Sequence, residues 1–390
     1  MRGKQNQGID NKGKVIIYTE PFFPMIGGGE LYTQSFAKSL SMIGYDVTVI
    51  TPTESDNVDN FNFTVHRLSH PVFIRGFNVN FLEIYSILKK NKGAVFNISG
   101  PTSLDSVMLF LCHFLKIPSI LTFHGKLNSG MGRLIIKFAG TFFYKYAEAI
   151  LVQTKREENY LRTLNMNNRT RVVYFNGVDK SEFYCNSGEK ASAELTRKTP
   201  LRFIFVGGLS SSRPYKGVKE LISIFRKTSR VIGDNNISLA IVGGGDLLKE
   251  IKDYARDCRN IHFTGRVSND NLLEELCKSD ALILPSISEG EGFGRVVLEA
   301  ISCGKLVIVS KYAGISELII KYNSGLIFDP LNEEDSIIKL RYAFENREKM
   351  KVLITNGNKM MDEEGLDIES SVKNTAKIYD DILARKELTN

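Results

Sequence analysis

Two carboxylates eight residues apart, Glu291 and Glu299, bracket the run Gly292-Phe293-Gly294 and the start of an apolar helical pattern. That order places the first carboxylate in a loop and the second about one and a half turns into a helix, so that both can face one ligand. Ionised carboxylates only accept hydrogen bonds and take them well in pairs, which makes the hydroxyls of a sugar or a ribose natural targets. Glycine N–H groups at the helix start can face phosphate oxygens of the same ligand. Taken as an isolated pair they read first as an exposed helix residue, Glu299, and an N-terminal dipole partner, Glu291. A second glycine run, Gly27-Gly28-Gly29-Glu30, follows an apolar segment and opens another helical pattern. Its backbone can approach a phosphate or sugar, or can serve only as a turn with positive φ. His124 closes the apolar run Ile120-Leu121-Thr122-Phe123, at the end of a strand where open sheets gather their chemistry. No Gly-x-Ser-x-Gly elbow occurs, so nucleophilic serine chemistry has no support, and no Asp-x-Asp pair occurs to anchor a divalent cation on a diphosphate.

These residues need elements to hold them. Val15–Thr19, a Pro/Gly loop, a helical pattern over Glu30–Ile43 and Val47–Ile50 read as a parallel βαβ unit. The second half repeats that grammar, with strand-like runs at Arg202–Val206, Leu239–Val242, Ile261–Thr264, Ala281–Leu284, Leu306–Val309 and Leu326–Phe328. Helical patterns separate them, the last running over Glu333–Met350. Strands alternating with helices predict doubly wound parallel sheets. The polar stretch Asn186–Pro200 is the linker candidate, and Ser370–Arg385 carries one apolar stripe, as a helix with a single buried face does. Two such domains leave a cleft at the carboxyl ends of their strands, where ligands bind.

At this point the chain resembles a known family. Glu291 to Ala300 is similar to the Glu-x7-Glu signature of retaining glycosyltransferases of the GT-B fold, most closely glycosyltransferase family 4. Gly27-Gly28-Gly29-Glu30, Phe123-His124-Gly125, Asn176-Gly177-Val178-Asp179, Val206-Gly207-Gly208-Leu209 through Lys216-Gly217, Gly243-Gly244-Gly245 and Gly265-Arg266-Val267 resemble further family segments in the same order. The resemblance implies an α/β GT-B architecture of two Rossmann-like, doubly wound domains facing an interdomain cleft. Residues 1–190 would form an acceptor-binding domain, 191–369 a nucleotide-sugar donor-binding domain, and 370–390 a helix crossing back onto the first.

It also implies a reaction: transfer of a sugar from a nucleotide-sugar donor to an acceptor hydroxyl with the anomeric configuration retained. Lys216, with Arg213 before it, would neutralise the diphosphate as it leaves. Glu291 would hold donor-sugar hydroxyls and Glu299 the ribose, while Gly28, Gly29, Gly292, Phe293, Gly294 and Val296 would offer backbone contacts. Arg266 and Val267 would border the nucleobase, and His124 would lie near the reacting sugar. Two departures from the family pattern stand out. Gly208 occupies the place of the usual arginine, which leaves Arg213 as its substitute, and Glu289-Gly290 lengthens the acidic loop, which makes Glu289 an alternative first carboxylate. No cofactor or metal is expected, since lysine, arginine and a helix terminus can carry the charge. A nucleotide-sugar epimerase on the same fold and a catalytically silent partner subunit are the competing readings.

Composition bears on partners. The chain has 390 residues and a net charge of +7. Residues 1–195 hold 22 Lys and Arg against 16 Asp and Glu, and the remainder 29 against 28, so the excess lies in the first half. A glycan or lipid-linked acceptor at an anionic membrane surface fits that excess, through Lys126–Tyr146 with Arg133, Lys137 and Lys145 among aromatics, and through Arg75 with Phe73, Phe77 and Phe81. The same aromatics read equally well as core. Nucleic acid is not expected, for want of a basic-aromatic platform. Five widely spaced cysteines with no CxxC pair predict free thiols, and with no secretory signal they predict a cytoplasmic protein, peripheral on the inner face of the plasma membrane and acting in surface polysaccharide or glycoconjugate assembly.

Overall fold

The computed structural model describes residues 12–20, 22–24, 28–55, 60–69, 73–74, 77–78, 80–100, 105–123, 142–166, 168–185 and 200–387. The chain folds as two units. One contains the residues through Asn176 together with those from Ile368 onward, and the other is Gly177–Asp367.

In the first unit, strands β1 (Lys14–Thr19), β2 (Asp46–Thr51) and β3 (Thr64–Arg67) precede a small antiparallel pair, β4 (Phe73–Ile74) and β5 (Phe77–Asn78). Strands β6 (Val95–Gly100), β7 (Ser119–Phe123), β8 (Ala149–Val152) and β9 (Thr170–Val172) complete a seven-stranded sheet of order β3-β2-β1-β6-β7-β8-β9. Every pairing in that sheet is parallel. The central strands are buried on both faces, which is why they read as continuous apolar runs rather than as alternations. From β1, Val15 and Ile17 face a core with Phe36, Leu40 and Tyr379, whereas Ile16 and Tyr18 face a core with Ile84, Leu88, Met108 and Leu109. Helices α1 (Gly28–Met42), α2 (Phe81–Lys90), α3 (Asp105–Leu115) and α4 (Lys155–Thr163) cover the sheet. Gly28 and Gly29 form the first turn of α1 rather than a loop ahead of it. Thr154 and Glu157 close α4 with a reciprocal capping box.

The C-terminal helix, Ile368–Glu387, belongs to this first unit. Val372, Ala376, Tyr379 and Ile382 form its buried stripe. Asn97 Nδ2 donates to the Tyr379 hydroxyl at 2.7 Å, Thr122 Oγ1 donates to Asn97 Oδ1 at 2.8 Å, and the Tyr45 hydroxyl donates to Asp380. The two units part at Asn176/Gly177. The Val178 amide donates to the Leu366 carbonyl at 3.0 Å and Lys180 pairs with Asp362 at 2.5 Å, so residues 177–185 group with the second unit.

That second unit has strands β10 (Leu201–Val206), β11 (Ile237–Val242), β12 (Ile261–Gly265), β13 (Ala281–Leu284), β14 (Leu306–Ser310) and β15 (Leu326–Phe328), parallel and ordered β12-β11-β10-β13-β14-β15. The intervening helices are α5 (Val218–Ile232), α6 (Leu248–Tyr254), α7 (Asn269–Lys278), α8 (Arg295–Ser302), α9 (Ser316–Tyr322), α10 (Glu333–Glu345) and α11 (Arg347–Glu363). The chain winds outward from β10 through β11 to β12, then returns to place β13 on the other side of β10. That reversal is a topological switch point, and it makes the loops after β10 and β13 neighbours at the strands' carboxyl ends. The single helix expected over Glu333–Met350 is two, broken at Asn346.

The expectation of five free thiols is corrected as well. Cys185 and Cys277, 92 residues apart in sequence, are joined by a disulfide, while Cys112, Cys258 and Cys303 are free. Among the described residues no helix is long and apolar enough to cross a membrane.

Candidate active site

At the switch point of the second unit the two loops are pressed together until little but glycine fits. Gly217, between Lys216 and α5, has φ +64°, and a Cβ there would lie 2.1 Å from the Pro285 carbonyl oxygen. The Ile287 amide donates to the Tyr215 carbonyl at 2.8 Å, and a Cβ on Gly290 would lie 3.0 Å from the Tyr215 ring. This lock brings Lys216 Nζ to 2.6 Å from Glu291 Oε2, with only 13% and 10% of the two side chains exposed. Ser286 Oγ donates to the same carboxylate oxygen at 3.2 Å. Glu291 is thus the carboxylate that meets the lysine across the loops.

Gly294, at φ +85°, is the N-cap of α8. The Gly314 and Ile315 amides donate to the Gly292 and Phe293 carbonyls at 2.9 and 3.1 Å, and the Phe293 side chain is buried. The turn is therefore anchored to the segment before α9, with Phe293 serving as its core plug. Val296 is half-buried in the first turn of α8. One turn after Arg295, Glu299 receives the Arg295 Nε–H at 3.2 Å in an almost buried pair. Burial pushes the Glu299 carboxyl above its usual range, Arg295 opposes that shift, and the charge of Glu182 adds to it. Arg295 Nη1 is buried with no hydrogen-bond partner among the described residues.

The loops after β10, β11 and β12 pack backbone against backbone. A Cβ on Gly243, at φ +146°, would lie 1.9 Å from the Gly207 carbonyl oxygen, and one on Gly244 would lie 3.3 Å from Arg266 Cβ. Arg266 is exposed and Val267 half-buried just beyond β12. A Cβ on Gly208 would lie 3.3 Å from Arg213 Nη1, so the exposed Arg213 guanidinium lies against the position where an arginine was expected and Gly208 stands.

The structure therefore gathers Arg213, Lys216, Glu291 and the Gly292–Glu299 turn on one rim. Gly28 and Gly29 belong to the other unit, and His124 lies outside the described residues, as do Arg133 and Lys137. From the aromatic segment expected at a membrane surface, Tyr144 is core, edge-on to Phe123 at 5.9 Å, whereas Phe142 is 62% exposed. Sequence reasoning missed Arg295 as the partner of Glu299, although an i,i+4 pair on a helix signals it. It also missed Ser286, five residues before Glu291 in the same loop, and Glu182, which only the fold brings near.

The model of the glycosyl transferases group 1 matches residues 187–360 and that of glycosyltransferase family 4 matches residues 26–182. The chain is a glycosyltransferase of the family 4 type. An uncharacterized glycosyltransferase of Methanocaldococcus jannaschii is 28% identical to this glycosyltransferase over 94% of its chain and 98% of the relative. The D-rhamnosyltransferase WbpZ of Pseudomonas aeruginosa is 24% identical over 85% and 86%. Among solved structures, sucrose-phosphate synthase from Thermosynechococcus elongatus is similar with a TM-score of 0.77 at 17% identity, covering 96% of this chain and 100% of that one. Anabaena HepE, solved with UDP and glucose, is similar with a TM-score of 0.74 at 17% identity, covering 94% and 98%. These likenesses give this glycosyltransferase the GT-B fold.

Proposed function

We propose that this enzyme transfers a sugar from a nucleotide-sugar donor to an acceptor hydroxyl with retention of anomeric configuration. The observation that carries the reading is the Lys216–Glu291 pair at 2.6 Å on the rim of the switch point. In a nucleotide sugar the anomeric carbon is bonded directly to the diphosphate. A cation for the phosphate and a carboxylate for the sugar must then be neighbours, and these two are. Lys216 has three donors, so it can meet phosphate oxygens while keeping Glu291. Arg213 supplies the second cation, and together they stabilise the charge that grows on the leaving diphosphate. Glu299 accepts from the ribose, Gly292, Gly294 and Val296 offer main-chain contacts, and Arg266 and Val267 border the base. The titles of HepE complexes with UDP, glucose and UDP-glucose support a donor of this class.

The leaving diphosphate oxygen takes the acceptor proton on the same face, so no dedicated protein base is needed, and His124 orients the reacting sugar. The two cations replace a divalent metal, and transfer that survives chelation by EDTA is the expected result. The acceptor is a glycan or lipid-linked glycan of surface polysaccharide or glycoconjugate biosynthesis at an anionic membrane surface. Supporting this are the exposed Phe110, Phe114 and Phe142, at 46%, 68% and 62% exposure, and the exposed Lys145. Salt-sensitive flotation with anionic vesicles tests that surface. For the reaction itself, Lys216→Ala and Glu291→Gln should each lower kcat about 10²- to 10³-fold, the loss usual for one transition-state contact. Unchanged transfer by both variants would refute the assignment.

A further inference from the structure

Behind the donor rim lies a cluster that the transfer reaction does not use. Cys303 Sγ lies within 4.8 Å of both sulfurs of the Cys185–Cys277 disulfide. The three residues come from three places: Cys185 from the segment that follows Val178, Cys277 from the last turn of α7, and Cys303 from the residue after α8. Cys185 and Cys303 are buried, and Cys277 is half-buried. Lys305, only 5% exposed, donates from Nζ to the Cys277 carbonyl at 2.9 Å. Its charge also reaches Cys303, where it opposes the burial that pushes that thiol up to about 11. Lys305 thus stands beside the Cys277 backbone and within electrostatic reach of Cys303. Cys112 and Cys258, the remaining free thiols, stand outside this group.

We propose that Cys185, Cys277 and Cys303 form one thiol–disulfide exchange site, which small-molecule thiols and disulfides reach through Cys277. In the internal step the Cys303 thiolate attacks Cys185 Sγ and a Cys185–Cys303 bond forms. The Cys185–Cys277 bond breaks, its electron pair stays on Cys277 Sγ, and Cys277 takes up the proton that Cys303 released. The step is redox-neutral. Cys277 is the leaving sulfur because a thiolate departs more readily where solvent reaches it and a cation is near. Cys303 Sγ, within 4.8 Å of Cys185 Sγ, has to close to bonding distance for this step. From the fully reduced state, a small disulfide of the glutathione type accepts the two electrons and two protons. Cys277 attacks it and releases one small thiol, and Cys185 or Cys303 then resolves the mixed disulfide and releases the second.

The test maps linkages and needs neither donor nor acceptor, so its outcome is independent of the transfer reaction. Cys277→Ser protein, reduced in denaturant so that the reagent reaches Cys185 and Cys303 without the Cys277 entry, is refolded with oxidised glutathione, trapped by alkylation in denaturant, digested without reduction and read by mass spectrometry. The expected result is a linked Cys185–Cys303 peptide, with Cys112 and Cys258 alkylated. Cys185 and Cys303 recovered as alkylated or singly glutathionylated thiols, in a protein with native near-ultraviolet circular dichroism, would overturn the proposal. Should Cys277→Ser not fold, the wild-type enzyme equilibrated in mixed reduced and oxidised glutathione decides. Coexisting Cys185–Cys277 and Cys185–Cys303 peptides support one exchange site. Cys185–Cys277 alone, with Cys303 quantitatively alkylated, overturns it.

Discussion

Glu299 lies almost out of water with a single guanidinium beside it, and that arrangement sets two testable quantities. Removing one partner of a nearly buried ion pair leaves the other uncompensated, so Arg295→Ala should cost about 3–5 kcal/mol in urea unfolding. The second quantity is a pH dependence. Because the folded state raises the Glu299 carboxyl above its ordinary 4.5, the native protein holds this proton where the unfolded chain has already lost it. The group therefore favours folding at low pH, and that contribution is lost as pH rises from about 4.5 through the folded value. Glu299→Gln is neutral throughout, so the difference in urea midpoint between wild type and variant should change across that window, the wild type losing ground as pH rises. A pH-independent difference would contradict the raised value.

At the scale of elements, glycines decide whether the rim exists. Gly217→Ala forces positive φ on a side chain and drives its Cβ into the Pro285 carbonyl, so the loop carrying Lys216 must move. The variant should lose at least about 1–3 kcal/mol of stability together with the ligand-induced shift of any nucleotide sugar, whereas Gly304→Ala, also at positive φ but with nothing near the added carbon, should lose stability without losing the shift. Much of this layer was legible beforehand. Strands β13 and β15 are unbroken apolar runs and β10, β11 and β14 contain a single polar residue each, and Gly-Phe-Gly before Arg295 announces a loop entering a helix. The break at Asn346 was not legible, because asparagine is a weak stop within a helical pattern that continues on both sides. The Lys216–Glu291 contact was not legible as a distance either. The two residues stand 75 positions apart and are brought together by strand order, which no local pattern encodes.

At the scale of the whole molecule, the chain's last helix returns to the unit formed by its first residues, and one polar network inside that unit depends on it. Tyr379→Phe removes the hydroxyl that accepts from Asn97 and strands a buried amide. A loss of about 1–3 kcal/mol in thermal or urea unfolding is expected, and none would mean that the network is dispensable. The apolar stripe of this helix could be read in the sequence, but the polar network could not, since Asn97, Thr122 and Tyr379 meet only across two strands and the chain's end. The disulfide was hidden for the same reason.

The most direct measurement is a thermal-shift panel of UDP-, GDP-, ADP- and CMP-sugars on wild type and Lys216→Ala. Ligand at one hundred times its Kd stabilises a folded protein by about 2.7 kcal/mol, enough to read as a clear shift. The expected result is that at least one of the UDP-, GDP- and ADP-sugars shifts the wild type and that Lys216→Ala loses most of that shift, with the CMP-sugar as the monophosphate contrast. An equal shift in both proteins, or none in the wild type with any of the three diphosphate sugars, would contradict a donor diphosphate held at the loops after β10 and β13.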